Sequence, residues 1–141
     1  MAKYRWKWLP KRRYSDLTLL MLRLASGGLM LTHGLPKMER LLEGNLAFAD
    51  PIGIGEEFSI FLTVFAEVVC AGLIVLGMLT RLAVLPLIIT MLVAIFIVHI
   101  HDPLHQKELA IFYLLLYCIL LAKGPGKLSL DQLFFGKKAT R

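Results

Sequence analysis

Four stretches of this chain are apolar for long enough to cross a bilayer, or nearly so, with short polar segments between them. They fall at about residues 17–36, 58–79, 82–100 and 107–122. A transmembrane helix needs roughly 20 mostly apolar residues, so the pattern predicts four helices and gives no sign of the alternation of a β-barrel. The expected fold class is all-α, an integral membrane four-helix bundle. Residues 17–123 form its single transmembrane domain, between an N-terminal segment 1–16 and a tail 124–141. Within the tail, Ser129 is placed to cap a short amphipathic helix running through Phe135. Composition supports this class: 57% of residues are hydrophobic and the mean hydropathy is +0.70, above that of soluble domains. The first stretch is read as a retained helix and not a signal peptide, because it starts late, contains Arg23 and lacks a small-residue cleavage site.

Charge then assigns sides. The first segment carries Lys3, Arg5, Lys7, Lys11, Arg12 and Arg13 against Asp16, interleaved with Tyr4, Trp6, Trp8 and Tyr14. The residues after the fourth apolar stretch include Lys123, Lys127, Lys137, Lys138 and Arg141 against Asp131, and the tight second connection holds Arg81. The first connection is acidic, with Glu39, Glu43, Asp50, Glu56 and Glu57. Positive residues stay inside, which predicts a multi-pass membrane protein with both termini in the cytoplasm. The net charge of +6 therefore belongs to cytoplasmic flanks facing anionic lipid headgroups. No nucleic-acid partner is expected; the lipid bilayer is.

Arg23 and Glu67 interrupt the first and second stretches. An ionised group in mid-membrane costs on the order of 3 kcal/mol on insertion scales and survives when paired or lining a polar cavity. Counting residues from the span ends puts the two at similar depth, so a buried Arg23–Glu67 pair is expected. At helical spacing Arg23, Ser26, Gly27, Met30, His33, Gly34 and Lys37 share one stripe, and Thr63, Glu67, Cys70, Ile74 and Gly77 share another. Small residues on such stripes let helices approach closely, which explains Ser26, Gly27, Gly72 and Gly77 by packing alone.

A second polar group collects at the outer rim: His33, Lys37, His99, His101, Asp102, His105 and Glu108. Histidines there can titrate near neutral pH and relay protons. The candidate metal ligands are His99, His101 and His105, but their spacing matches no tetrahedral set; they are read first as interface residues and no metal is assigned. Cys70 and Cys118 fall at similar depth in spans of the same direction, so a dithiol is one reading and two inert buried thiols the other. Tyr113 and Tyr117, opposite Glu108 on the last span, are expected to face lipid or a partner.

These residues together resemble the DoxX family of small four-helix membrane proteins. The resemblance covers about residues 22–133. It is carried by RLASGGLMLTHGLPKM, by FAEVVCAGLIVLGMLTRLA, by Ala94, Phe96, Val98 and His99 closing the third span, by KEL opening the fourth, and by GPGKLSLD at its exit. It implies a four-helix bundle in a bacterial cytoplasmic (inner) membrane and association with membrane oxidoreductases, including thiosulfate:quinone oxidoreductase relatives and quinol-oxidase subunits. It also implies Arg23, His33, Lys37, Glu67, His99 and Glu108 as the polar residues that matter.

Three function classes follow. In the first, the chain is a quinone- or sulfur-compound-linked redox accessory subunit. Arg23, Lys37, Glu67, His99 and Glu108 bind the ligand, and Glu67 and His33 are also the catalytic groups that carry protons. A quinone is the cofactor class considered, since no haem, flavin or nicotinamide motif is present. In the second, the chain is a non-catalytic anchor for soluble redox proteins, with homo-oligomerisation as one form of assembly. In the third it is a small solute or ion transporter, for which four spans are few.

Overall fold

A computed structural model describes residues 11–136. The expectations for the basic-aromatic residues 1–10 and for the basic residues 137–141 lie outside the described residues. Those described form five helices: α1 (Lys11–Leu42), α2 (Glu56–Leu76), α3 (Thr80–Val98), α4 (Leu104–Lys123) and the short α5 (Leu130–Phe135). Among them α2, α3 and α4 are long and apolar enough to cross a membrane. The longer α1, of 32 residues, carries Arg23, His33 and Lys37 and is more polar.

Each boundary has a local cause. The N-terminus of α2 follows Gly55, held at φ 100°, and its first turn carries Glu56 and Glu57, anions that suit the positive end of the helix dipole. Asp50 organises the loop before it, accepting from the backbone N–H of Ile54 (2.9 Å) and Gly55 (2.8 Å) and from Ser59 Oγ (3.1 Å). At the other end, Gly77 adopts φ 70°. The Gly77 N–H donates to Ile74 O (3.0 Å) and the Met78 N–H to Leu73 O (2.9 Å), a Schellman closure. Pro36 lies inside α1 without ending it; its missing N–H leaves one intrahelical bond unmade.

The core holds Ile60, Ile74, Val84, Leu87, Tyr117 and Leu120, all fully buried. The outside is as apolar as the inside: Phe58, Phe61, Phe65, Ile89, Phe96, Phe112 and Leu115 are exposed. Exposed apolar surface on this scale suits a lipid environment and not water.

Glycines set the register of α1 against α2. A Cβ on Gly27 would lie 2.7 Å from Val75 Cγ2 and 2.9 Å from Ala71 O, and one on Gly34 would lie 2.8 Å from the Glu67 backbone. The helices therefore run antiparallel, with Gly34 opposite Glu67 and Gly27 opposite Ala71 and Val75. In that register Arg23 falls opposite Gly77, and its Nη1 occupies the space that a side chain there would fill.

Two wide turns break the regular winding. α2 is π-helical over Phe65–Cys70, which includes Glu67, and α3 is π-helical over Ala94–Val98, directly before His99. Such turns recur at functional sites because they rotate side chains out of the regular stripe.

Candidate functional site

The expected Arg23–Glu67 pair is not formed. Glu67 is bound instead by Lys37, whose Nζ lies 2.6 Å from Oε1 and 2.7 Å from Oε2. The carboxylate side chain is 5% exposed and the lysine 29%. The reason is register: with Gly34 against Glu67, Lys37 is one turn away on the same face, whereas Arg23 lies about 16 Å further along α1 at ~1.5 Å per residue. Counting depth from the ends of the apolar stretches missed this offset.

Arg23 closes the opposite end of the bundle. It is 1% exposed, its Nη2 donates to the carbonyl of Leu128, and the Asp131 carboxylate acts on its charge. Asp131 in turn accepts from the backbone N–H of Leu79 (2.7 Å) and of Thr80 (3.0 Å), and its own N–H donates to Gly77 O (2.8 Å). A carboxylate from α5 thereby caps α3 and steadies Leu79, whose φ of 49° is left-handed. Asp16 accepts from Lys127 N (3.0 Å), tying the start of α1 to the same segment. Ser129 caps α5, accepting from Gln132 N at 3.2 Å.

The Lys37–Glu67 pair lies in a cavity of about 180 Å³. Its polar lining comprises His33 and Lys37 from α1, Glu67 from α2, His99 from the end of α3, and Gln106 and Tyr113 from α4. The remaining wall is Met30, Met91, Ala94, Leu109 and Ala110. His33 and Gln106 are exposed, so the cavity opens at that end of the bundle. His99 Nδ1 lies 2.7 Å from Asp102 Oδ2. The His33 ring meets Tyr113 edge-on, with centroids 6.1 Å apart. Tyr113 stacks on Tyr117 at 5.9 Å, and the Tyr117 hydroxyl donates to Ser26 O at 3.4 Å.

Of the residues singled out from the sequence, His33, Lys37, Glu67 and His99 are brought together. Arg23, expected among the ligand-binding residues, is at the far end. Glu108, His101 and His105 are exposed and do not line the cavity. Among the described residues no three His, Cys, Asp or Glu side chains converge as a metal site. Cys70 is buried and Cys118 exposed, and both are free thiols; neither lines the cavity. The expected outward orientation of Tyr113 and Tyr117 is also corrected: both are buried. It had been inferred from an inward Glu108, but that carboxylate lies near the start of α4, where it stays solvated, and the tyrosines turn to the core. Gln106 is a cavity residue that the sequence pattern does not single out; Asp102, grouped at the rim from the sequence, does not line the cavity but holds His99.

This geometry gives a chamber with a mostly apolar lining and no net charge at its centre, because lysine and glutamate cancel. Comparison with curated proteins gives no match, and comparison with solved structures gives none. Residues 18–100 match the family model DoxX, more than half of the chain, and the chain belongs to the DoxX family.

Proposed function

We propose that the chain is a redox accessory protein of a bacterial cytoplasmic membrane that binds a quinone-class ligand in the Lys37–Glu67 cavity. The observation that carries this reading is the doubly bonded Lys37–Glu67 pair inside a largely apolar chamber. A sulfur oxyanion on Lys37 would either sit beside the buried Glu67 carboxylate or draw the lysine away from it, and each leaves negative charge uncompensated in the cavity, which is costly. Arg23, the other cation expected to hold an anion, is at the opposite end. A neutral ring with polar edges needs neither change.

The residues fit such a ring. A cavity of about 150 Å³ accommodates benzene, and this one is about 180 Å³. Met30 and Met91 offer flexible thioether contacts to a flat face. Lys37 retains one N–H beyond its two contacts with Glu67, and Tyr113 and Gln106 supply further polar groups. A bound quinone would contribute two-electron, two-proton chemistry; Glu67 and His33 are the groups placed to hold a proton beside it. With α1 as a fourth span and the basic ends inside, the cavity faces outward. Below it, buried Met30, Tyr117 and Leu120 fill the bundle, which favours binding over passage of a solute.

The test is the thermal stability of the purified protein in detergent with and without trimethylbenzoquinone. The expected result is a stabilising shift in wild type that is lost in E67Q. An equal shift in both proteins, or none in wild type, contradicts the reading.

A further inference from the structure

We infer that His99, with its tautomer set by Asp102, is a hydrogen-bond acceptor facing the cavity and makes the site prefer a hydroxyl-bearing ring, the hydroquinone, over the matching quinone. This rests on the reading of the cavity as a quinone-class site.

The argument begins with the backbone. The π-helical turn Ala94–Val98 ends with the His99 N–H donating to Ala94 O at 2.9 Å, and the following turn closes with Asp102 N–H to His99 O at 3.1 Å. Those two closures place His99 on the cavity wall and bring the Asp102 carboxylate to Nδ1 at 2.7 Å. An ionised carboxylate only accepts, so the proton of a neutral imidazole resides on Nδ1. Nε2 is then a bare lone pair. Carboxylates fix the tautomer and orientation of metal-binding histidines in the same way.

Across the cavity stands a donor, the remaining Lys37 N–H. A ring that donates at one edge and accepts at the other satisfies both walls. A quinone carries only carbonyl acceptors, so one of them faces the Nε2 lone pair with no hydrogen between. The His99 side chain is 37% exposed, so a ring seated against it displaces water from Nε2, and one hydrogen bond left unmade there corresponds to about a tenfold loss of affinity. Glu67 also only accepts, but both of its oxygens are already taken by Lys37 Nζ; His33 and Tyr113 face this space too, without a carboxylate partner to set one hydrogen-bonding role as Asp102 does for His99.

The test compares binding of trimethylhydroquinone and trimethylbenzoquinone, measured anaerobically at about pH 8. Wild type is expected to bind the hydroquinone about tenfold more tightly. In H99L the ratio should fall to near one while residual binding persists, and H105L, altered at an exposed residue outside the cavity, should keep the wild-type ratio. The ratio discriminates because a merely distorted cavity loses both ligands together. Nitrogen NMR of labelled histidine, without ligand, should show His99 protonated at Nδ1 in wild type and a mixture of tautomers in D102L. Equal affinities in wild type, a ratio retained in H99L, or a proton on Nε2 in wild type would each overturn the inference and leave the cavity reading standing. Failure of wild type to bind either compound overturns both.

Discussion

Gly34 on α1 and Glu67 on α2 are in direct contact: a Cβ on the glycine would lie 2.8 Å from the glutamate's backbone carbon, oxygen and Cβ. That contact fixes which cation reaches the buried carboxylate. Lys37, one turn along, reaches it; Arg23 cannot.

The first prediction concerns this contact. G34A forces the two helices apart and should cost about 2 kcal/mol, the usual scale for overpacking. G28A, which would meet nothing within 4 Å, should change stability by less than about 0.5 kcal/mol. Chemical denaturation of the two variants in detergent checks the contrast.

The ion pair predicts an asymmetry. K37M leaves Glu67 buried and unpaired and should cost about 3 kcal/mol. E67Q leaves a lysine that is 29% exposed and able to extend toward water, and should cost about 1 kcal/mol. The double variant K37M/E67M should recover most of the loss. Unfolding measurements that place E67Q below K37M in stability would contradict this account of the pair.

At the opposite end, D131A removes the acceptor for two backbone N–H groups and should destabilise by about 1–2 kcal/mol. The effect should be local: faster hydrogen exchange at Leu79 and Thr80, and faster proteolysis within residues 124–135. R23M should loosen the same segment, because Leu128 O loses its donor, without altering ligand binding in the cavity.

The loop before α2 should respond to acid. Hydrogen bonds, above all from the Gly55 N–H, hold the Asp50 carboxyl below its ordinary pKa. The folded value being depressed, the stabilisation is fully present above the unfolded value of about 3.9. It is lost as pH falls through the folded value. Exchange at the Ile54 and Gly55 amides, scaled for intrinsic rate, should rise on acidification below about pH 4 in wild type. In D50N that pH dependence should be absent.

Much of the architecture was legible in the chain. Long apolar runs predict α2, α3 and α4, and Gly77, Pro103 and Gly124 mark their limits. Pairing was not, because it depends on register, and register is set by the depth at which Gly27 and Gly34 dock. The π-helical turns were also invisible to a period of 3.6, and they carry Glu67 and precede His99. His33 and Lys37 were readable because they continue the α1 stripe. Tyr113 was misplaced because a polar residue at a helix end, Glu108, was taken as a guide to the inward face.

Photo-crosslinking with an azido-substituted quinone tests the central claim most directly, because it maps where the ligand sits. The account predicts label on peptides containing Met91, Ala94 or Tyr113, competed by trimethylbenzoquinone and lost in E67Q. Label confined to lipid-facing side chains such as Phe96 and Phe112, unaffected by competitor, would contradict it.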